Sequence, residues 1–333
     1  MKNYKILLSL LIAGSVLSCK KAEKDAETQE AVVEQSTVQV PQFNPDSAFT
    51  YVAKQVAFGP RVPGTKAQTQ CAQWLSAKLK GLGWEVYEQR FDAKLYSGKV
   101  VPGINIVASY KPEAEKRILL ASHWDSRPIS DQDESVKDQA IDGANDGASG
   151  VGVLLEVARN LVQDSVNVGV DIVFFDVEDW GAPDTFEGKV DLEYGGYCLG
   201  SDYWSKNPHK KPYTAFYGIL LDMVGAANAQ FFHEQYSSTV APSILAKVWD
   251  TASRLGYGNL FINSAGGAIT DDHVPVIKNL GIPMIDIIDY RMKGAGTGDF
   301  FPHWHTTSDK LENIDKNTLK AVGQTLLHVI YHE

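Results

Sequence analysis

Six places along this 333-residue chain carry residues able to bind a metal ion or move a proton. They are His123 in "SHWDSR", Asp146 in "GANDGASG", the adjacent Glu178 and Asp179 in "VFFDVEDWGAP", Asp222 in "GILLDM", Asp271 in "TDDHVP" and His305 in "PHWHTTSD". Carboxylates and imidazoles together suit zinc. No cysteine falls among them, which argues against a structural cysteine-rich zinc site. Singly, each has an ordinary explanation. A histidine is more often hydrogen-bonded than a ligand. Asp146 in its Gly-rich loop fits a turn or a helix cap. Glu178 and Asp179 fit a solvated strand end, and Asp271 with Asp272 fits another cap. Asp222 is the hardest to explain away, because a carboxylate inside an apolar strand needs a partner. Together, several of them at strand ends, they point to one site.

The elements that would gather these residues can be read from apolar patterning. "RILLAS", "DIVFFDV" and "GILLDM" are apolar on both faces, as in strands covered by helices on both sides. "WEVYEQRF", "INIVASY" and "PMIDII" are further β-rich runs. Helices are predicted over about 67–82, with Thr65 as start signal and Gly83 as stop, and over about 148–161, 244–255 and 315–332, the last capped by Asp315. Helices interleaved with such strands predict a single α/β domain with a mostly parallel central sheet flanked by helices. In sheets of this kind ligand sites gather at the carboxyl ends of the strands. That is where His123, Glu178, Asp179 and Asp222 fall.

Composition and termini bound the rest. Hydrophobic residues make up 44% of the chain and the formal net charge is −10, so a folded body is expected and a nucleic-acid partner is not. Lys2 and Lys5 precede an apolar run over 6–17, too short to span a bilayer and suited to a secretory signal. The run ends "VLSC", which resembles a bacterial lipobox and implies cleavage before Cys19 and a lipid on its sulfur; an ordinary signal peptide is the alternative. Residues 20–40 are polar and lack aromatics, the composition of a tether. The expected organisation is a signal peptide over 1–18, a lipidated tether over 19–42 and a catalytic zinc-dependent domain over 43–333. This describes an exported, membrane-anchored bacterial lipoprotein facing the periplasm. Cys71 and Cys198 are either a disulfide, which export permits, or two buried thiols.

The ordered motifs His123-Trp124-Asp125-Ser126-Arg127, 143–150 "GANDGASG", Phe174 through Asp179, Leu221-Asp222, Asp271-Asp272-His273-Val274-Pro275 and Trp304-His305-Thr306 together resemble the zinc-dependent aminopeptidase superfamily. Its fold is a single α/β domain with a mixed central sheet. The "DDHVP" and "WHT" segments are most similar to those of the glutaminyl cyclases within it. The resemblance runs from about Phe58 to His332. It implies that Asp146, Asp179 and His305 hold one zinc ion, that Glu178 is the acid/base, and that Asp222 and Asp271 form a hydrogen-bonded acidic pair behind it. It further implies that Trp304 lines the substrate pocket, where Trp180 is expected at the rim. Substrates would be peptides or proteins with N-terminal Gln, converted to pyroglutamate with release of ammonia. One departure stands out: Glu is common in the superfamily where this chain has Asp179, one methylene shorter. The same residues also support a two-metal aminopeptidase, with His123 and Asp222 on the second ion. A binding lipoprotein that keeps the fold without catalysis is a third reading, and the intact Glu178 argues against it.

Overall fold

The structure, a computed structural model, describes residues 38–294 and 297–333. The expected signal peptide, Cys19 and the expected tether up to residue 37 lie outside the described residues. Val38–Glu333 forms one compact unit.

Along the chain the elements are α1 (Pro45–Val56), α2 (Lys66–Gly81), β1 (Glu85–Lys94), β2 (Val100–Tyr110), β3 (Arg117–His123), α3 (Ala148–Gln163), β4 (Gly169–Phe175), α4 (Leu199–Lys206) and β5 (Tyr217–Asp222). They continue as β6 (Phe231–His233), α5 (Gln235–Val240), α6 (Pro242–Arg254), β7 (Phe261–Ala265), α7 (His273–Leu280), β8 (Met284–Ile288), β9 (Tyr290–Gly294), β10 (Thr297–Phe300) and α8 (Lys316–Tyr331). The central sheet has six strands in the order β1-β2-β4-β3-β5-β8. β4, β3, β5 and β8 pair in parallel, while β2 runs against both of its neighbours. The sheet is therefore mixed and mostly parallel, as expected.

Every residue of β3, β4, β5 and β8 is buried. The period of two splits their side chains between two cores. Ile118, Leu120, Ile172, Phe174, Ile219, Leu221, Ile285 and Ile287 face a large core shared with α1, α2, α3, α6 and α8. Leu119, Ala121, Val173, Phe175, Leu220 and Met284 face a smaller one with Trp204 of α4 and Val276, Ile277 and Leu280 of α7. This two-sided cover explains why the strands read as unbroken apolar runs.

The helix starts follow their capping residues. Thr65 accepts the N–H of Gln68 at 3.2 Å and Asp315 accepts that of Asn317 at 2.8 Å, each satisfying an otherwise unpaired first-turn donor. α1 begins at Asn44, which accepts from Asp46 and Ser47, with Pro45 following. The folded body also starts slightly before the expected boundary at 43. Val40 packs against the large core, and Gln324 bridges the Pro41 carbonyl (3.1 Å) and the Phe43 N–H (2.9 Å). Cys71 and Cys198 are both free and buried, so the disulfide alternative is not realised.

Candidate active site

The parallel strands finish at one edge: His123 pairs in register with Phe175, and Asp222 with Ile288. From that edge the chain delivers acids and imidazoles into a cavity of about 250 Å³. Asp146, Glu178, Asp179, Asp222, Asp271, Trp304 and His305 all line it, with Tyr197, Met223, Ile269, Ile288 and Phe300 among the walls. Residues as far apart in sequence as Asp146 and His305 thus meet at the edge where β3, β4, β5 and β8 lie side by side.

Glu178 and Asp179 do not lie on a continuing strand. β4 stops at Phe175, and Val177 turns the chain with φ 59°, a left-handed conformation costly for a β-branched residue. Asp125 holds the turned segment: its two carboxylate oxygens accept the N–H groups of Glu178 (3.1 Å) and Asp179 (3.2 Å). Asp176, the third acid of the run, is structural. Its buried carboxylate accepts from Gln68 at 2.6 Å and from the Ile104 and Val177 N–H groups at 2.7 and 3.0 Å. Asp146 is set by Asp309, which accepts the Asn145 and Asp146 N–H groups at 2.8 and 3.0 Å.

Two donor triads share Asp146. In one, Asp146, Asp179 and His305 converge, with His305 Nε2 at 3.0 Å from Asp179 Oδ1 and 3.9 Å from Asp146 Oδ2. In the other, His123 Nε2 lies 3.0 Å from Asp146 Oδ1 and 3.1 Å from Asp222 Oδ1. Asp146 Oδ2 and Asp179 Oδ2 are buried without hydrogen-bond partners. Unpaired buried carboxylate oxygens are costly, and facing an imidazole nitrogen they form the oxygen-and-nitrogen set that zinc takes. The residues fit such an ion.

Charge in the site is strongly perturbed. Burial would push the His123 imidazole down, but hydrogen bonds to Asp125, Asp146 and Asp222 outweigh it and hold it well above its ordinary value. Burial pushes the Glu178 carboxyl well up; His123 opposes this, while Asp271, Asp179 and Asp272 add to it. Burial first, then the Asp222 charge, raises Asp271 to about 7. The expected hydrogen bond between Asp222 and Asp271 is not found among the described residues: Asp222 Oδ1 faces His123 Nε2 at 3.1 Å, Asp271 Oδ1 accepts the Asp272 N–H at 2.5 Å, and Asp271 Oδ2 is buried without a partner.

Trp304 stacks on the His305 ring with centroids 3.6 Å apart and meets Phe300 at 4.5 Å. Trp180 does not line the cavity. Beyond Asp179 the chain turns toward β1 and β2, and Trp180 packs on the apolar cluster of Phe91, Ala93, Leu95, Val101 and Val177. Tyr197, absent from the sequence reading, forms that part of the wall. Arg127 belongs to the "HWDSR" motif, whose pattern gives it no role of its own, and Asp131 and Asp309 carry no motif signal. Asp309 directly follows the "HTTS" run and Asp131 lies in a polar loop, so neither stands out by pattern.

Residues 105–330 match the profile of Peptidase family M28. Among solved structures, the chain is similar to a Bacteroides thetaiotaomicron glutaminyl cyclase bound to N-acetylhistamine: 50% identity, TM-score 0.84, covering 89% of this chain and 100% of that one. It is similar at 52% identity and the same TM-score to a Zn-dependent exopeptidase from Parabacteroides distasonis, again over 89% and 100%. A curated glutaminyl-peptide cyclotransferase of Bothrops jararaca is 25% identical over 292 residues, 80% of this chain and 75% of the relative.

Proposed function

The chain belongs to peptidase family M28 and to its glutaminyl-cyclase group, and from that premise we propose that it is a glutaminyl-peptide cyclotransferase acting through Glu178 at a single zinc site. The observation that carries this reading is the half-identical cyclase from Bacteroides thetaiotaomicron, matched along its whole length. The geometry agrees with it. A buried carboxyl, Glu178, lines the same small cavity as the triad of Asp146, Asp179 and His305.

The substrate is a peptide whose N-terminal residue is Gln. Its α-amine nitrogen forms a bond to its own side-chain amide carbon, and the bond from that carbon to the amide nitrogen breaks, releasing ammonia. Asp146, Asp179 and His305 are the residues that would hold zinc, which when bound supplies Lewis-acid polarisation of an amide oxygen. Glu178 takes the proton from the attacking amine and returns it to the leaving nitrogen. A carboxyl lifted toward neutrality both accepts and gives back a proton readily. Asp222 and Asp271 flank it and orient the amine. Trp304, Phe300, Met223 and Ile269 exclude water, which would otherwise compete with the amine as nucleophile. By its N-terminal sequence we place the enzyme on the periplasmic side of a membrane, tethered through Cys19.

A second reading rests on one observation: His123 and Asp222 converge on Asp146, the arrangement a second cation would use. A two-metal aminopeptidase is built that way. One experiment separates the two. The purified protein is loaded with zinc and given a Gln-initiated peptide, and ammonia and free amino acid are both measured. Ammonia with no free glutamine, at about one zinc per chain, is the expected result. Free amino acid at two tightly held zinc ions per chain would replace the cyclase reading with the peptidase.

A further inference from the structure

His305 presents Nε2 to the cavity, which leaves Nδ1 to be explained. No hydrogen bond reaches Nδ1 among the described residues, and it is buried. The carboxylate within reach is Asp131, whose Oδ1 lies 3.3 Å away. Asp131 is itself gripped from behind: Arg127 donates to its two oxygens at 2.6 and 2.9 Å. The same guanidinium turns Nη1 toward Asp179, at 3.3 Å from the carbonyl and 3.4 Å from Oδ1. Arg127 is fully buried, and its face lies against the Tyr197 ring. One arginine therefore joins the outer sides of two of the three converging donors.

The backbone repeats the connection. The Gln132 N–H donates to the His305 carbonyl at 3.2 Å, and Asp133 accepts from the Thr307 N–H and hydroxyl at 3.2 and 2.6 Å. His305 has φ 55°, a conformation that must be held by its surroundings. The loop over 127–133 supplies that hold.

We propose that Asp131 is a positioning residue: with Arg127 it fixes the His305 tautomer that bears its proton on Nδ1, orients Asp179, and so sets how tightly the site keeps its metal. The chemistry requires it. An imidazole that ligates through Nε2 needs its other nitrogen protonated and directed, and a carboxylate on that N–H both fixes the ring and makes the ligating nitrogen more basic. Asp179 has a further need for the clamp. One methylene shorter than Glu, it reaches less far, and Arg127 holds its carboxylate at the position from which it faces His305. The inference rests on the zinc-site reading above.

The test measures zinc affinity by chelator competition in the full exported domain, alongside the melting temperature of the zinc-free protein. Asp131→Asn and Asp131→Ala are expected to weaken zinc binding by about 10–100-fold; the zinc-free melting temperature falls as well, because the buried Arg127 loses its partner, so affinity is compared well below it. Long-range proton–nitrogen spectra should show His305 protonated on Nδ1 in the parent and mixed between tautomers in Asp131→Ala. Glu134→Ala, an exposed acid of the same loop, is the control and should retain parental affinity. A loss below fivefold in the Asn variant overturns the proposal, as does an equal loss in the Glu134 control. If Asp131→Ala does not fold, the isosteric Asn variant decides alone. A parent protein that takes up no zinc removes the zinc-site reading itself, an outcome distinct from variants that match a zinc-binding parent.

Discussion

At the scale of single residues the site is built on backbone conformations that side chains rarely adopt. Val177, Met223 and His305 all have φ between 50° and 59°, and each lies next to a functional group: Glu178, Asp222 and the His305 imidazole itself. Such conformations cost on the order of 1–3 kcal/mol each and persist where surroundings over-determine them. Asp125, Arg127 and the loop over 130–133 are those surroundings. In the proposed mechanism Glu178 has one task, moving a proton. Glu178→Gln keeps shape and burial but cannot accept the amine proton. It is expected to lower kcat by about 10²–10⁴-fold while zinc content and melting temperature stay parental. Turnover within tenfold of the parent would remove Glu178 from the mechanism. The acids and imidazoles were legible in the sequence because their types are uncommon at the ends of apolar strands. The residues that hold them were not: Asp131 in "SDQDES" has the look of any solvated loop acid, and only its partner reveals it. Trp180 shows the reverse error, since adjacency to Asp179 suggested the cavity while the turn at Val177 sent the indole elsewhere.

At the scale of elements, α3 controls the site through its first turn. Gly147, at its start, has φ 93°, and a Cβ there would come within 2.5 Å of the Asp125 carbonyl. One turn on, a Cβ on Gly150 would meet Ser122 Oγ at 2.3 Å and the Leu221 carbonyl at 2.6 Å. α3 therefore lies directly on β3 and β5, and Asp146 is delivered by that close approach. Gly150→Ala should push the helix off the sheet. The expected cost is about 1–3 kcal/mol from overpacking, read as a lowered melting temperature, with zinc affinity falling because Asp146 moves with the helix. Unchanged zinc affinity would show that the loop, held by Asp309, positions Asp146 without help from the helix. The long elements followed from periodicity because burial enforces it: four strands wholly inside the protein leave no polar interruption. The short ones did not. α5 has 6 residues and α7 has 8, too few turns to display a stripe. α1 did carry a signal, the "NPDS" cap with Pro at the first position, which the patterning passed over.

At the scale of the whole molecule, the unit over Val38–Glu333 contains every residue of the proposed chemistry, and no helix among the described residues is long and apolar enough to cross a membrane. Attachment and catalysis are then separable properties of one chain. On the proposed reading, attachment would belong to Cys19 and the segment before it, whereas catalysis would need only the sheet edge and its loops. The point of division is set by Gln324, whose side chain ties Pro41 and Phe43 to α8, and by Val40 on the core. A chain beginning at Val38 keeps these contacts. It should fold with the melting temperature of the lipidated protein and gain stability from zinc, by about 2.7 kcal/mol at a hundredfold excess over the dissociation constant. It should also turn over a Gln-initiated peptide at the parental rate while moving from the membrane fraction to the soluble one. Cys19→Ala in the full chain should move the protein in the same way and leave turnover intact, since the residue is far in sequence from the site. If the Cys19 variant stays with the membrane, attachment does not depend on a lipid at that sulfur. If the chain from Val38 fails to fold, the N-terminal segment is part of the domain and not a tether.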